Sequence, residues 1–196
     1  MPDQLDIFGA GSEPSPPTPR FPEGFRYRPE VVTADAERDL LLQVRELPFR
    51  EFEFHGYTGK RRVVSYGWRY DFSDRVLHKA DDIPPFLLAL RETAAAFADL
   101  EPAQLQHVLV TEYGEGAGIG WHRDKAVFGD VVGISLLSPC VFRLRRKAGE
   151  RWERVSLTAE PRSAYLLRGP SRTEWEHSIP EVDALRYSIT FRNLRE

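Results

Sequence analysis

A chain of 196 residues with 41% hydrophobic, 12% aromatic and 29% charged side chains is long enough for one ordinary core and too short for two. No apolar run approaches the ~20 residues of a membrane-spanning helix, Met1-Pro2-Asp3-Gln4 lacks the basic and apolar stretch of a secretion signal, and a single cysteine excludes a disulfide framework or a cysteine-based zinc site. A reducing cytoplasm is the expected location, with Cys140 a small buried core residue and a reactive thiol the lesser alternative.

The net charge of −3 is carried by residues 1–24, where Asp3, Asp6, Glu13 and Glu23 face only Arg20, so the body is neutral. A protein that holds nucleic acid mainly by neutralising phosphates is usually basic, and any such contact here must come from a local patch. Residues 9–22 contain five of the chain's 15 prolines. They read as a flexible, locally polyproline-like linker, because such a composition buries too little apolar surface to offset its ordering entropy. The expected organisation is a Pro-rich tail over 1–24 and one domain over 25–196.

The domain opens with an α-rich half. Thr33 is placed to cap a helix with Ala36, Leu40, Val44 and Leu47 on one face. A second helix is expected after Asp82-Ile83-Pro84-Pro85, with Phe86, Leu90, Ala94 and Phe97 aligned. Between them, Arg62 to Phe72 carries Tyr66, Trp68, Tyr70 and Phe72 at a period of two, which predicts four rings on one face of a strand.

From residue 106 the pattern turns to β. Alternation over Val108 to Tyr113 leads to a Gly-rich bend at 114–118, and strands are expected over 131–137, 141–145, 154–157, 164–167 and 186–192. Short strands at such intervals suggest a sandwich or jelly-roll, and helices preceding strands argue for an α+β fold rather than βαβ units.

Where the strands crowd, His122 and Asp124 stand two apart, a spacing that puts both on one side of an extended strand. His177 stands alone further on. Two imidazoles and one carboxylate make the facial triad of non-heme iron oxygenases, which leaves positions open for cosubstrate and oxygen. The plainer alternatives are a surface or capping His122 and a hydrogen-bonded strand His177. The last strand alternates fully: Arg186, Ser188, Thr190 and Arg192 on one face, Tyr187, Ile189 and Phe191 on the other. Its polar face is either the solvated side of an edge strand or, lining a sandwich, a pair of guanidiniums suited to a dicarboxylate.

A strand ending in Tyr113, a Gly-containing bend, His122-x-Asp124, distal His177 and Arg186-x5-Arg192, in that order, resembles the AlkB-like 2-oxoglutarate- and Fe(II)-dependent dioxygenases over residues 50–195. The resemblance implies a double-stranded β-helix (jelly-roll) core with N-terminal helices packed on one side. It also implies Fe(II) held by His122, Asp124 and His177, with 2-oxoglutarate as cosubstrate. Arg186 would take its distal carboxylate with help from Tyr113, Ser188 would stand where relatives carry Asn, and Arg192 would act near the keto-acid end. The implied activity is oxidative demethylation of alkylated bases in nucleic acid. Relatives of that kind carry Asn where this chain has Thr111, and an acidic residue where it has Ala126. The second departure favours the alternative of an oxygenase acting on a protein side chain or small molecule. A non-catalytic β-sandwich module is the third possibility.

The ring-bearing segment lies where this family places its nucleotide-recognition lid, so Trp68 and Tyr70 are the candidate base-stacking residues, against the alternative of second-layer packing. Lys60-Arg61-Arg62 and Arg143-Arg145-Arg146-Lys147 are candidate phosphate contacts, against the alternative of solvated faces. In the tail, Gln4-Leu5-Asp6-Ile7-Phe8 resembles the peptide by which bacterial repair and replication proteins grip the sliding clamp. The alternative is that it folds back over an apolar patch of the domain.

Overall fold

The computed structural model describes residues 20–54, 57–70 and 76–195. In chain order these form β1 (Phe25–Arg28), α1 (Ala34–Val44), β2 (Arg50–Phe54), β3 (Tyr57–Tyr66), β4 (Trp68–Tyr70), β5 (Leu77–Lys79), α2 (Leu88–Ala98), β6 (His107–Tyr113) and β7 (Ile119–His122). There follow β8 (Phe128–Leu136), β9 (Cys140–Ala148), β10 (Arg151–Ala159), β11 (Ala164–Leu167), α3 (Pro170–Thr173), β12 (Glu176–Ile179) and β13 (Arg186–Leu194).

The strands assemble into a seven-stranded sheet of order β1-β11-β8-β13-β6-β3-β2, a four-stranded sheet of order β10-β9-β12-β7, and the small pair β4-β5. From β6 onward the chain shuttles between the two larger sheets, so β6 to β13 make an eight-stranded jelly-roll. Its interior is filled by Tyr113, Val131, Tyr165 and Leu167 from one sheet and Phe142, Leu144, Ala159 and Ile179 from the other. The outer face of the larger sheet is apolar as well: Val110, Ile134, Leu166, Tyr187, Ile189 and Phe191 pack on Leu40 and Val44 of α1 and on Leu90, Ala94 and Phe97 of α2. The expected α+β jelly-roll with helices on one side is therefore the fold observed. Cys140 is buried, and no helix among the described residues is long and apolar enough to cross a membrane.

Three local readings change. In α1, whose first turn is capped by the Thr33 hydroxyl accepting from Ala36 N, the buried face begins at Glu37 rather than Ala36. The Glu37 carboxylate is satisfied there by the Leu137 N–H (2.8 Å) and by Arg162 (3.2 Å). The four-ring strand is two strands. Gly67 takes φ +75° between β3 and β4, and a Cβ on it would lie 2.0 Å from the Gln106 carbonyl oxygen. Tyr66 therefore joins the core beneath the helices, while Trp68 and Tyr70 share one face of β4, which pairs with β5. Phe72 and residues 4–8 lie outside the described residues. Finally, the packed body reaches back into the stretch assigned to the tail: Pro22 is buried, and Phe21 stacks on Phe25 at 5.1 Å. Proline content obscured these anchors, because the surface they cover is built by strands more than a hundred residues away.

Candidate active site

Antiparallel pairing of β12 with β7 sets His177 directly opposite His122, so both imidazoles leave the four-stranded sheet on its inner face, with ring centroids 4.2 Å apart. Asp124 lies just beyond the end of β7 rather than within the strand, and it still converges on the same point. One ligand atom from each of the three residues falls within 4.8 Å of the others.

The protonation pattern suits a cation. The His122 Nδ1–H donates to the Gly120 carbonyl at 2.9 Å, which leaves the Nε2 lone pair free. Burial, followed by the charge of His122, pushes the His177 pKa down to about 3, so its imidazole is neutral at pH 7. Burial would raise the Asp124 carboxyl, but the Arg192 guanidinium holds it well below the usual carboxylate range. Arg192 donates to Asp124 Oδ1 through two nitrogens, at 2.9 and 2.7 Å. The other oxygen, Oδ2, is buried without a hydrogen-bond partner, 3.7 Å from His177 Nε2. A carboxylate oxygen and a neutral imidazole nitrogen facing each other, with His122 Nε2 alongside, form a donor set suited to a positive ion. The three residues fit Fe(II).

The inner face of the larger sheet supplies the second half of the site. Register across β6, β13 and β8 aligns Tyr113 with Arg186, and Thr111 and Ser135 with Ser188. Arg186 is 1% exposed; its guanidinium lies 4.7 Å from the centre of the Tyr113 ring and gives one hydrogen bond, to Ser135 Oγ at 2.9 Å. Its Nε and Nη1 are buried without partners. Burial raises the Tyr113 hydroxyl pKa against the pull of Arg186, so that hydroxyl keeps its proton and remains a donor. A buried guanidinium with two unmet nitrogens beside the Tyr113 ring fits a carboxylate. Arg186 and Arg192, read from the sequence as one fork, are separate devices: the second is spent on Asp124.

Several members of the site carried no sequence signal. His107 faces Arg192 across the β6–β13 ladder, with its Nδ1 3.4 Å from Nη1, and is held neutral by burial and by that guanidinium. Arg172 on α3, itself buried, donates to the carbonyls of Lys125 (2.5 Å) and Phe128 (2.9 Å), bracing the loop that carries Asp124. The Tyr165 ring crosses the inner face directly over Gly133, where a Cβ would lie 2.2 Å from it. Only strand pairing reveals these neighbours. At the mouth, the Lys125 ammonium lies 5.3 Å from the centre of the Tyr70 ring, so β4 borders the loop after Asp124. Arg61, Arg172, Arg186 and Arg192 all act on the site's titrating groups against the one carboxylate of Asp124. The neutral body thus encloses a positive centre suited to a dianionic ligand.

A jelly-roll interior holding this triad beside an arginine cradle defines a class of iron oxygenase, and the sequence pattern of the 2OG-Fe(II) oxygenase superfamily matches residues 24–192. The chain belongs to that superfamily. Its likeness to AlkB-type proteins holds as well. It is 27% identical over 195 residues to the "Alkylated DNA repair protein ALKBH8 homolog" of Arabidopsis thaliana, covering 85% of this chain but only 54% of the relative. It is also 27% identical to the "DNA oxidative demethylase ALKBH2" of Mus musculus, over 98% of this chain and 95% of that protein. The solved structure of OsALKBH1 superposes with a TM-score of 0.66 at 18% identity, covering 89% of this chain and 99% of the other.

Proposed function

We propose that the protein oxidatively demethylates alkylated bases in nucleic acid, using Fe(II) and 2-oxoglutarate, in a cytoplasmic setting. The observation that carries the reading is an unsatisfied Asp124 Oδ2 beside His177 on the side of the four-stranded sheet and an unsatisfied Arg186 guanidinium on the facing larger sheet of the same jelly-roll. His122, Asp124 and His177 hold the metal. Arg186 takes the distal carboxylate of the cosubstrate, with Tyr113 and Ser188 alongside. Arg192 orients Asp124 and borders the keto-acid end. Iron and 2-oxoglutarate together supply the oxidising power, with succinate and carbon dioxide as by-products. The apolar side chains of the jelly-roll interior exclude water, and Trp68 and Tyr70 of β4 stack on an extruded base, a role supported by the Lys125 ammonium 5.3 Å from the Tyr70 ring centre. Hydroxylation of an N-methyl group then gives a hemiaminal that breaks to formaldehyde and the bare amine.

The test is iron-dependent release of formaldehyde and succinate from methylated single- and double-stranded DNA. Alanine at His122, Asp124 or His177 abolishes both products; unchanged Fe(II) affinity of His177→Ala in a calorimetric titration would overturn the metal assignment. A second reading, an oxygenase of a protein side chain or small molecule, is favoured by Ala126, exposed and uncharged two residues after Asp124. Succinate with no formaldehyde from any methylated oligonucleotide selects it. On the nucleic-acid reading, Gln4 to Phe8 dock on a bacterial sliding clamp and the Pro-rich stretch tethers the enzyme, raising its effective concentration at DNA. A peptide of residues 1–12 then binds the clamp with micromolar affinity in fluorescence polarisation, and Gln4→Ala with Phe8→Ala removes it. No binding by the unaltered peptide ends this idea.

A further inference from the structure

The basic run on β9 is not one patch. Strand alternation splits it, and the register with β10 and β12 decides what each half meets. Arg143, Arg145 and Lys147 point away from the jelly-roll interior, beside Trp152, Arg154 and Ser156 of β10 and Glu176 and Ser178 of β12. Arg146 turns to the other side and is consumed by Glu153 (2.8 Å) and Glu174 (2.6 Å). Trp121 completes the outer face, since its neighbour His122 points inward.

On that face the arginines and indoles interleave. The Arg145 guanidinium lies 4.4 Å from the Trp121 ring centre and 4.3 Å from that of Trp152. Arg143 lies 5.0 Å from Trp121, and Arg154 lies 6.0 Å from Trp152. Four cations therefore share the face, and among the described residues only Arg145 meets a carboxylate, Glu176 at 2.7 Å. Arg143 spends its Nε on Ser178 Oγ (3.0 Å) and keeps its terminal nitrogens. Trp152 is 38% exposed, and Lys147 and Arg154 are exposed, so none of the described residues covers the surface.

We infer that this outer face of the four-stranded sheet is a docking surface for the phosphodiester backbone of nucleic acid. The inference rests on the nucleic-acid reading above and adds where the strand is gripped outside the base pocket. Guanidiniums stacked on indoles are held in plane before the ligand arrives, so less side-chain freedom is lost per hydrogen bond made to phosphate. Arg143, Arg145 and Lys147 recur every second residue, ~7 Å apart, and span ~14 Å of β9. That length matches about four phosphates of one duplex strand, spaced ~3.4 Å along its axis. The face begins one residue from the iron ligand His122, so a strand lying across it passes beside the site. In an otherwise neutral body, Arg143, Lys147 and Arg154 bring to one face three cations that meet no carboxylate among the described residues, a charge complementary to a phosphodiester backbone.

The test measures binding of the full chain to an unmodified 20-nucleotide oligonucleotide, single-stranded and duplex, by fluorescence anisotropy across a salt series. Arg143→Gln, Lys147→Gln and Arg154→Gln combined weaken binding at least tenfold at low salt. They also flatten the slope of log affinity against log salt by about 3, one per phosphate contact removed. Arg146→Gln, on the same strand but facing the other way, leaves affinity and slope unchanged. Wild-type affinity in the triple variant, or an equal loss in Arg146→Gln, overturns the docking face, as does polyglutamate of equal charge competing as well as the oligonucleotide. These outcomes stand apart from the functional reading, which fails instead if methylated oligonucleotides bind and yield no formaldehyde.

Discussion

Two nitrogens of Arg186 are buried without protein partners, on a side chain that is 1% exposed. Leaving a charged donor so placed costs several kcal/mol unless a ligand completes it, so on the proposed function the cosubstrate and Arg186 would stabilise each other. Arg186→Ala is expected to raise the 2-oxoglutarate concentration for half-maximal turnover at least tenfold, since removing one partner of a buried charge pair costs about 3–5 kcal/mol. Steady-state succinate formation at varied 2-oxoglutarate measures it, and an unchanged dependence would assign the distal carboxylate to another cation. The residue was legible in the sequence because alternation over 186–192 put polar groups opposite an apolar face. Its companion Ser135 was not: it lies 51 residues away and reaches Arg186 only through the β8–β13 ladder.

At the scale of elements, the site is braced by a short helix that supplies none of the three triad residues. Arg172 of α3 holds the carbonyls of Lys125 and Phe128, and Arg123 reciprocates by donating to Thr173 O at 3.1 Å. The loop between β7 and β8 is thereby pinned at Asp124. Residues that orient metal ligands in this manner are typically worth ~10–100-fold in metal affinity. Arg172→Leu should weaken Fe(II) binding by about tenfold or more on that ground, with partial recovery in Arg172→Lys, read by anaerobic titration; equal affinities would show the loop to be held by other means. β4 teaches the complementary lesson. A perfect period of two across Tyr66, Trp68 and Tyr70 hid a break at Gly67, where the chain passes from pairing with β6 to pairing with β5 and close approach of the Gln106 carbonyl leaves no room for a side chain. Periodicity reports which residues share a face only while the strand continues.

For the whole molecule, burying a positive metal and cosubstrate site leaves a signature in pH. His177 has its pKa lowered to about 3 and His107 well below 6.5, both chiefly by burial. The folded metal-free protein therefore binds fewer protons than the unfolded chain between about pH 3 and 6.5, and stability rises with pH through that window. From pH 7 to 5, His177 alone should cost about 2 kcal/mol, seen as a falling urea midpoint of chelator-treated protein; a midpoint independent of pH would show these imidazoles solvated. The sequence by itself determined what depends on local order: the His122-x-Asp124 spacing, the alternation of the last strand, the Thr33 cap, and the run of short strands after residue 106 that makes the jelly-roll. The α-rich first half it suggested in fact holds β1 before α1 and β2 to β5 between the helices. Tertiary structure decided which distant strands became neighbours. It set His177 opposite His122, spent Arg192 on Asp124 and Arg146 on Glu153 and Glu174, and left Arg143, Lys147 and Arg154 facing outward. The reason is physical. A strand's own residues establish which side chains share a face, but pairing and register are settled by burial of the whole sheet, and only register says what each charge will meet.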